Sequence, residues 1–360
     1  MKTVRFAFVG LGNIAKTHIV ALKAMPVIKK LPFQPVLDTL VTRNLSANEN
    51  QARAMGFAHV TDSLSEALKD RELEVVDICT PNAMHLEAVR HAAAADKILY
   101  CEKPLTDTYE NSAELVRTAG DRHPHQVALV YRYHPAVMRL KEAVRLGLIG
   151  DVLQIKLSYR RSGYLDAKRP VSWRLKDDLS GGGAISDLGV HVLDLIRHVF
   201  GEISRVEGTT NVFVKERPVT QGSAEKVHIR VDDWALMNVT LESGVKGTAE
   251  VSRIAWGSEA FDVEVFGTEG SLICNLEKDT VPRIKRLDGS APVIPGPSSL
   301  ELIPDEKSTM GFAMDAHFGG LNHFLHRIAG EERWIGLAPT LGDCLIAEKW
   351  IDRVLKQSGR

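Results

Sequence analysis

The segment Gly10-Leu11-Gly12-Asn13-Ile14-Ala15 constrains this chain more than any other. It follows an apolar run at 4–9 and opens a stretch at 14–24 with helical apolar spacing. A Gly-x-Gly-x-x-Ala turn between a strand and a helix is the pattern of a dinucleotide-binding loop. The first glycine permits a tight turn, the second lets backbone approach a pyrophosphate, and the small third residue lets helix and strand pack closely. Free N–H groups and the helix dipole then face the phosphates. Gly10, Gly12, Asn13 and Ile14 are therefore expected to hold that ligand. The alternative is an ordinary glycine-rich turn, and the flanking strand and helix weigh against it.

The pattern continues as alternating elements. Strands are expected at 36–41, 59–60, 75–79 and 97–101, and helices at 45–55, 63–70 and 85–95. This βαβα rhythm implies a doubly wound parallel sheet with helices on both faces and a ligand along one strand edge. Beyond about residue 128 the composition changes. A helix at 135–146 precedes β-rich segments at 152–159, 206–214, 234–241, 246–251 and 261–267, with one helix at 184–200 among them. They read as an α+β region with a large open, mostly antiparallel sheet. The expected division is a dinucleotide-binding domain at 1–128, a substrate and oligomerisation domain at 129–338 and a terminal helix at 339–360. The Pro/Gly/Ser-rich stretch 288–299 should be a surface loop.

A chain of 360 residues is comfortable for two domains. Net charge is −1, so neither a nucleic-acid footprint nor a polybasic membrane patch is expected. The apolar N-terminal run is too short for a membrane span or a signal peptide. Cys79, Cys101, Cys274 and Cys344 are scattered without a Cys-x-x-Cys pair. No disulfide framework or zinc site is expected, and a cytoplasmic setting fits.

Three further clusters carry chemistry. The end of the second strand, where NAD binders place an acid on the adenosine ribose, reads Val41-Thr42-Arg43-Asn44. A hydroxyl and a guanidinium suit a 2′-phosphate, so Thr42 and Arg43 point to NADP, with NAD as the alternative and a solvated Arg43 as the plain reading. Asp38 lies too far back in its strand. In Glu102-Lys103-Pro104, at the end of a strand, a lysine can polarise a carbonyl or exchange a proton, although most lysines are surface charges. Gly181-Gly182-Gly183 is a flexible lead-in to a helix on which Asp187 and His191, four apart, share a face. Imidazole accepts a proton near neutral pH. Asp194 and His198 read as a solvated stripe.

These motifs occur together and in order. The glycine loop, Thr80-Pro81-Asn82-Ala83-Met84-His85, Glu102-Lys103-Pro104 and the Gly-Gly-Gly…Asp-x-Gly-x-His-x-x-Asp stretch resemble the glucose–fructose oxidoreductase/inositol dehydrogenase (Gfo/Idh/MocA) family. Tyr131-Arg132-Tyr133-His134-Pro135, Trp173-Arg174 and Phe266-Gly267-Thr268-Glu269-Gly270 resemble further family positions, so the likeness spans nearly the whole chain. It implies a Rossmann domain, hydride exchange between a nicotinamide cofactor and a sugar, inositol or related polyol, and a homodimer or homotetramer. It also implies a catalytic set of Lys103, Asp187 and His191. Thr80, Pro81, Asn82, His85, Glu102 and Lys103 would line the cofactor, and Trp173 and Arg174 would close over it. Thr42 departs from the aspartate that many NAD-using relatives carry. The competing reading is a non-catalytic dinucleotide sensor on the same fold. Such relatives tend to have lost the lysine or histidine, and both stand here.

Overall fold

The computed structural model describes residues 2–28, 31–296, 311–331 and 336–359. The chain forms two compact units, Met1–Tyr133 with Leu300–Leu345, and His134–Ser299 with Ile346–Arg360.

In the first unit the elements run β1 (Lys2–Val9), α1 (Asn13–Ile28), β2 (Phe33–Val41), α2 (Leu45–Met55), β3 (His59–Thr61), α3 (Leu64–Ala67), β4 (Val75–Ile78), α4 (His85–Ala94), β5 (Ile98–Cys101), α5 (Tyr109–Ala119) and β6 (Gln126–Val127). The six strands are all parallel, in the order β3-β2-β1-β4-β5-β6. This is the expected doubly wound sheet. The order reverses direction between β1 and β4, which opens a crevice at their carboxyl ends. Phe6, Ala7 and Phe8 of β1 and Val75, Val76 and Ile78 of β4 are fully buried. Helices cover both faces of a parallel sheet, so such strands read as continuous apolar runs.

Two differences from the sequence reading have local causes. Helix α1 runs to Ile28, past the expected end at 24, because Pro26 falls near its C-terminus, where it removes one hydrogen bond without ending the helix. Helix α5 was not anticipated, although Thr108 caps it by accepting a hydrogen bond from the Asn111 amide at 3.2 Å.

The second unit contains α6 (Pro135–Arg145), β7 (Val152–Arg160), α7 (Asp177–Ser180), α8 (Val190–Phe200), β8 (Ile203–Asn211), β9 (Glu216–Pro218), β10 (Lys226–His228), β11 (Trp234–Leu241), β12 (Lys246–Ser252), β13 (Ala260–Gly267), β14 (Gly270–Asn275) and β15 (Arg283–Arg286). Seven strands form an open sheet in the order β15-β14-β13-β7-β12-β11-β8. Every neighbouring pair is antiparallel except β7 with β12, matching the expected open, mostly antiparallel sheet. Ile155, Leu157 and Tyr159 of β7 and Val263 and Val265 of β13 are buried, alternating with more exposed residues. This period of two is that of a sheet covered on one face. Helix α8 packs on β7 and α6. The expected loop at 288–299 has no regular structure through 296, and its end lies outside the described residues.

Helix α9 (Phe312–Ile328) belongs to the first unit, where it packs against α1, and α10 (Leu341–Gln357) follows it. All residues from Ala316 to His326 of α9 are buried. A helix buried on every side loses the one-faced stripe that marks amphipathic helices, and three histidines further disguised it. Among the described residues, no helix is long and apolar enough to cross a membrane.

Candidate active site

In the first unit the glycine loop has the geometry its sequence demands. Gly10 sits at φ +96°, and a Cβ there would lie 3.0 Å from the Cys79 carbonyl oxygen and 3.3 Å from Thr80 Cγ2. Only glycine fits such a conformation without strain. At Gly12 a Cβ would meet nothing within 4 Å, so that backbone is open to an approaching ligand. Ala15 is fully buried, as close packing of α1 on the sheet requires. The first intrahelical bond of α1 runs from the Lys16 amide to the Gly12 carbonyl. The amides of Asn13, Ile14 and Ala15 precede it and point out of the helix start.

The loop after β4 lies beside this turn. Thr80 Oγ1 is buried and has no hydrogen-bond partner among the described residues, a hydroxyl suited to a ligand. Asn82 is 6% exposed. His85 is fully buried, with its ring nitrogens at 2.9 Å from the Thr80 carbonyl and 3.1 Å from the Leu105 carbonyl. Burial holds its pKa below the ordinary histidine value. Its polar atoms therefore brace the two loops at the ends of β4 and β5. At the end of β2, the Thr42 hydroxyl accepts a hydrogen bond from Asn48 Nδ2 at 2.7 Å, and Arg43 is exposed beside it. Asp38 pairs with Arg5 at 2.6 Å, consistent with its position back in the strand.

Lys103 follows the end of β5 and is partly exposed, whereas its neighbour Glu102 is 6% exposed. Glu102 belongs to a buried charge cluster that sequence reasoning missed. His18 Nδ1 lies 3.0 Å from Asp77 Oδ2, and His18 Nε2 lies 3.2 Å from Glu102 Oε1. The His317 ring of α9 stands 5.1 Å from that of His18. Burial disfavours the His18 cation, but the charge and hydrogen bond of Asp77, with the nearby charge of Glu102, outweigh it and raise its pKa to about 10. Burial likewise opposes ionised Glu102, and the closeness of His18 overcomes this to bring it to about 2. Burial, then the His18 charge, lowers His317 to about 3. One signal could have found the cluster. Asp77 is a lone carboxylate in the run Val75-Val76-Asp77-Ile78, and a charge inside a buried strand needs a partner. The donor atoms of His18, Asp77 and Cys79, and of His18, Glu102 and His317, lie within 4.8 Å of one another, close enough for an ion. In both sets His18 is already engaged with a carboxylate.

In the second unit the glycine run is fixed in place, which corrects the reading of it as a flexible lead-in. A Cβ on Gly183 would collide with the backbone of Asp232. The Asp232 carboxylate, fully buried, accepts from the Gly183 amide at 2.9 Å and the Ile185 amide at 2.8 Å. Ile185–Gly189 then forms a π turn before α8 begins. Asp187 lies within this wider turn and His191 in the first turn of α8. Asp187 Oδ2 accepts from Arg253 Nη2 at 3.2 Å, a partner at the end of β12 that the sequence did not point to. His191 is 6% exposed, with its ring edge-on to Tyr159 at 6.5 Å between centroids. Asp194 is 1% exposed, so it is part of the interior and not of a solvated stripe, and His198 is half-buried near Lys141 Nζ. Arg174 stacks on the Trp173 ring at 4.3 Å in a short helical turn.

A doubly wound parallel sheet with this glycine turn defines an NAD(P)-binding oxidoreductase scaffold. Family models agree along most of the chain. Residues 4–129 match the oxidoreductase family with an NAD-binding Rossmann fold, and residues 137–273 match the GFO/IDH/MocA C-terminal domain. The chain belongs to the Gfo/Idh/MocA family of oxidoreductases, which includes sugar dehydrogenases. It is 32% identical to levoglucosan dehydrogenase of Pseudarthrobacter phenanthrenivorans over 77% of this chain and 75% of that protein. It is 28% identical to the NAD(+)-dependent scyllo-inositol 2-dehydrogenase of Bacillus subtilis, over 84% and 80%. The structure of levoglucosan dehydrogenase in complex with NADH and levoglucosan superposes with a TM-score of 0.90 at 28% identity, covering 99% of this chain and 98% of that one.

Proposed function

We propose that this protein is an NAD(P)-dependent dehydrogenase or reductase acting on a CH–OH or C=O carbon of a sugar, inositol or related polyol. The observation that carries the reading is that Lys103, Asp187 and His191 all stand on a scaffold whose relatives are sugar and inositol dehydrogenases. A dinucleotide sensor has no need of all three. Gly10, Gly12 and the amides of Asn13 and Ile14 hold the pyrophosphate, and the unpartnered Thr80 hydroxyl bonds the cofactor alongside Pro81 and Asn82. The nicotinamide, when bound, accepts or supplies the hydride. His191 takes the proton from the substrate hydroxyl as the carbon is oxidised, Lys103 donates a hydrogen bond to the same oxygen, and Asp187, braced by Arg253, orients the substrate. Trp173 and Arg174 cover the cofactor. A panel of sugars and inositols paired with NAD and NADP, followed at 340 nm, tests this. Turnover of at least one polyol is expected, and tight cofactor binding with no turnover on any would favour the sensor.

The preferred cofactor is NADP. Thr42 and the exposed Arg43 present a hydroxyl and a guanidinium at the end of β2, where a 2′-phosphate would be recognised by a charge-assisted pair. Arg43→Ala should weaken NADP binding by about 10- to 100-fold while leaving NAD binding nearly unchanged. Titration by nicotinamide fluorescence checks this, and equal losses for both cofactors, or tighter NAD binding by the unaltered protein, would reverse the preference. We also propose a homodimer or homotetramer through the open sheet of the second unit, which light scattering would read as two or four chain masses.

A further inference from the structure

A buried line of polar contacts runs from the cofactor helix to the residue we place in catalysis. His18 lies on the second turn of α1, the helix that opens from the glycine loop. It forms part of the buried stripe Ala15, His18, Ile19, Leu22, where helical spacing calls for an apolar residue. Its Nδ1 meets both carboxylate oxygens of Asp77, at 3.1 and 3.0 Å, and its Nε2 faces Glu102 Oε1 at 3.2 Å. The other oxygen of Glu102, Oε2, accepts the backbone N–H of Lys103 at 3.1 Å. His18 and Asp77 are fully buried and Glu102 nearly so, which shields the His18–Asp77 contacts from water.

We propose that His18 is a positioning residue: by bridging Asp77 and Glu102 it holds the Glu102 carboxylate on the Lys103 amide and so fixes Lys103 relative to the cofactor helix. This rests on the role given to Lys103 above. A buried imidazole serving only as filler would be replaceable by an apolar residue. Here the ring has a carboxylate at each nitrogen, and its charge is the largest one favouring ionised Glu102. The groups around His18 are Asp77 and Cys79 from the end of β4, Tyr100 from β5, Glu102 and Lys103 after it, and His317 from α9. With His317 held neutral, His18 is the cation between two anions. Its raised pKa means that the bridge contributes fully below about pH 6.5 and is lost as pH rises through about 10. The lowered pKa of Glu102 means that the contribution is lost as pH falls from about 4.5 through about 2.

Two measurements test the proposal. Amide hydrogen exchange of Lys103, read by NMR, should be at least about tenfold faster in His18→Gln, while amides of β1 and α4 stay near their original rates. On a substrate found in the polyol panel, His18→Gln should lower kcat by roughly 10- to 100-fold with little change in cofactor KM. Unchanged Lys103 exchange overturns the positioning role whatever the kinetics. Faster exchange with full turnover in both His18→Gln and Lys103→Ala would instead remove Lys103 from catalysis, and with it the functional consequence drawn here. Should His18→Gln fail to fold, Asp77→Asn keeps size and an acceptor for Nδ1, and should shift exchange the same way by a smaller factor. In the unaltered protein, both His18 ring nitrogens should carry protons at pH 8 by ¹⁵N NMR, and a singly protonated ring would overturn the bridge.

Discussion

Lys103→Ala and His191→Ala will each lower kcat by about 10²- to 10⁴-fold, the range that a positioned acid–base group contributes. The cofactor dissociation constant should stay within about threefold, because neither side chain is assigned to the dinucleotide's phosphates or adenosine. Nicotinamide fluorescence and single-turnover absorbance at 340 nm separate the two quantities. If both act on one oxygen as proposed, combining the two substitutions should cost less than the product of the separate losses. Full turnover in either single variant removes that residue from the mechanism. A loss of cofactor affinity matching the loss of kcat would mean that the residue acts in binding.

Asp232→Ala is expected to be the most damaging single change in the second unit. The carboxylate accepts two backbone amides, Gly183 at 2.9 Å and Ile185 at 2.8 Å, at a fully buried position. Its loss removes two charge-assisted bonds and strands two buried donors, a cost of roughly 3–6 kcal/mol. Asp232→Asn retains one acceptor oxygen and should lose about half as much. Urea unfolding followed by circular dichroism checks this, and a midpoint equal to that of the unaltered protein would contradict it. The same anchor seats the π turn carrying Asp187 and leading into His191, so folded Asp232→Asn should also show reduced kcat. Gly183→Ala is expected to resemble Asp232→Ala, because its Cβ would displace the same backbone.

The elements that the sequence revealed most cleanly are those set by local rules. Helix α2 has the bounds read from its spacing, ending on Gly56 in the left-handed conformation that closes helices. Gly10 was legible because a βα turn at positive φ tolerates little else. Strands β14 and β15 and helix α9 were missed for a different reason. Their patterns are short, or, in α9, apolar on every side and broken by histidines, so periodicity had no contrast to register.

The candidate site divides along the same line. Gly10, Gly12, Lys103, Asp187 and His191 could be chosen from motifs, each of which lies within a few residues of chain. Arg253 and Asp232 could not, since they reach Asp187 and the glycine run from 66 and 49 residues away. Nor could Asp194 be recognised as buried, because α8 is covered on the side where a surface helix would meet water. By itself the sequence determined the class of scaffold, the glycine turn and the candidates proposed for hydride exchange, because those depend on steric and chemical limits within short segments. Only tertiary structure decided which charges are buried together, as in Asp77, His18, Glu102 and His317. Such groups are drawn from β4, α1, the end of β5 and α9, and whether a side chain keeps its charge depends on neighbours that the chain brings near only when it folds.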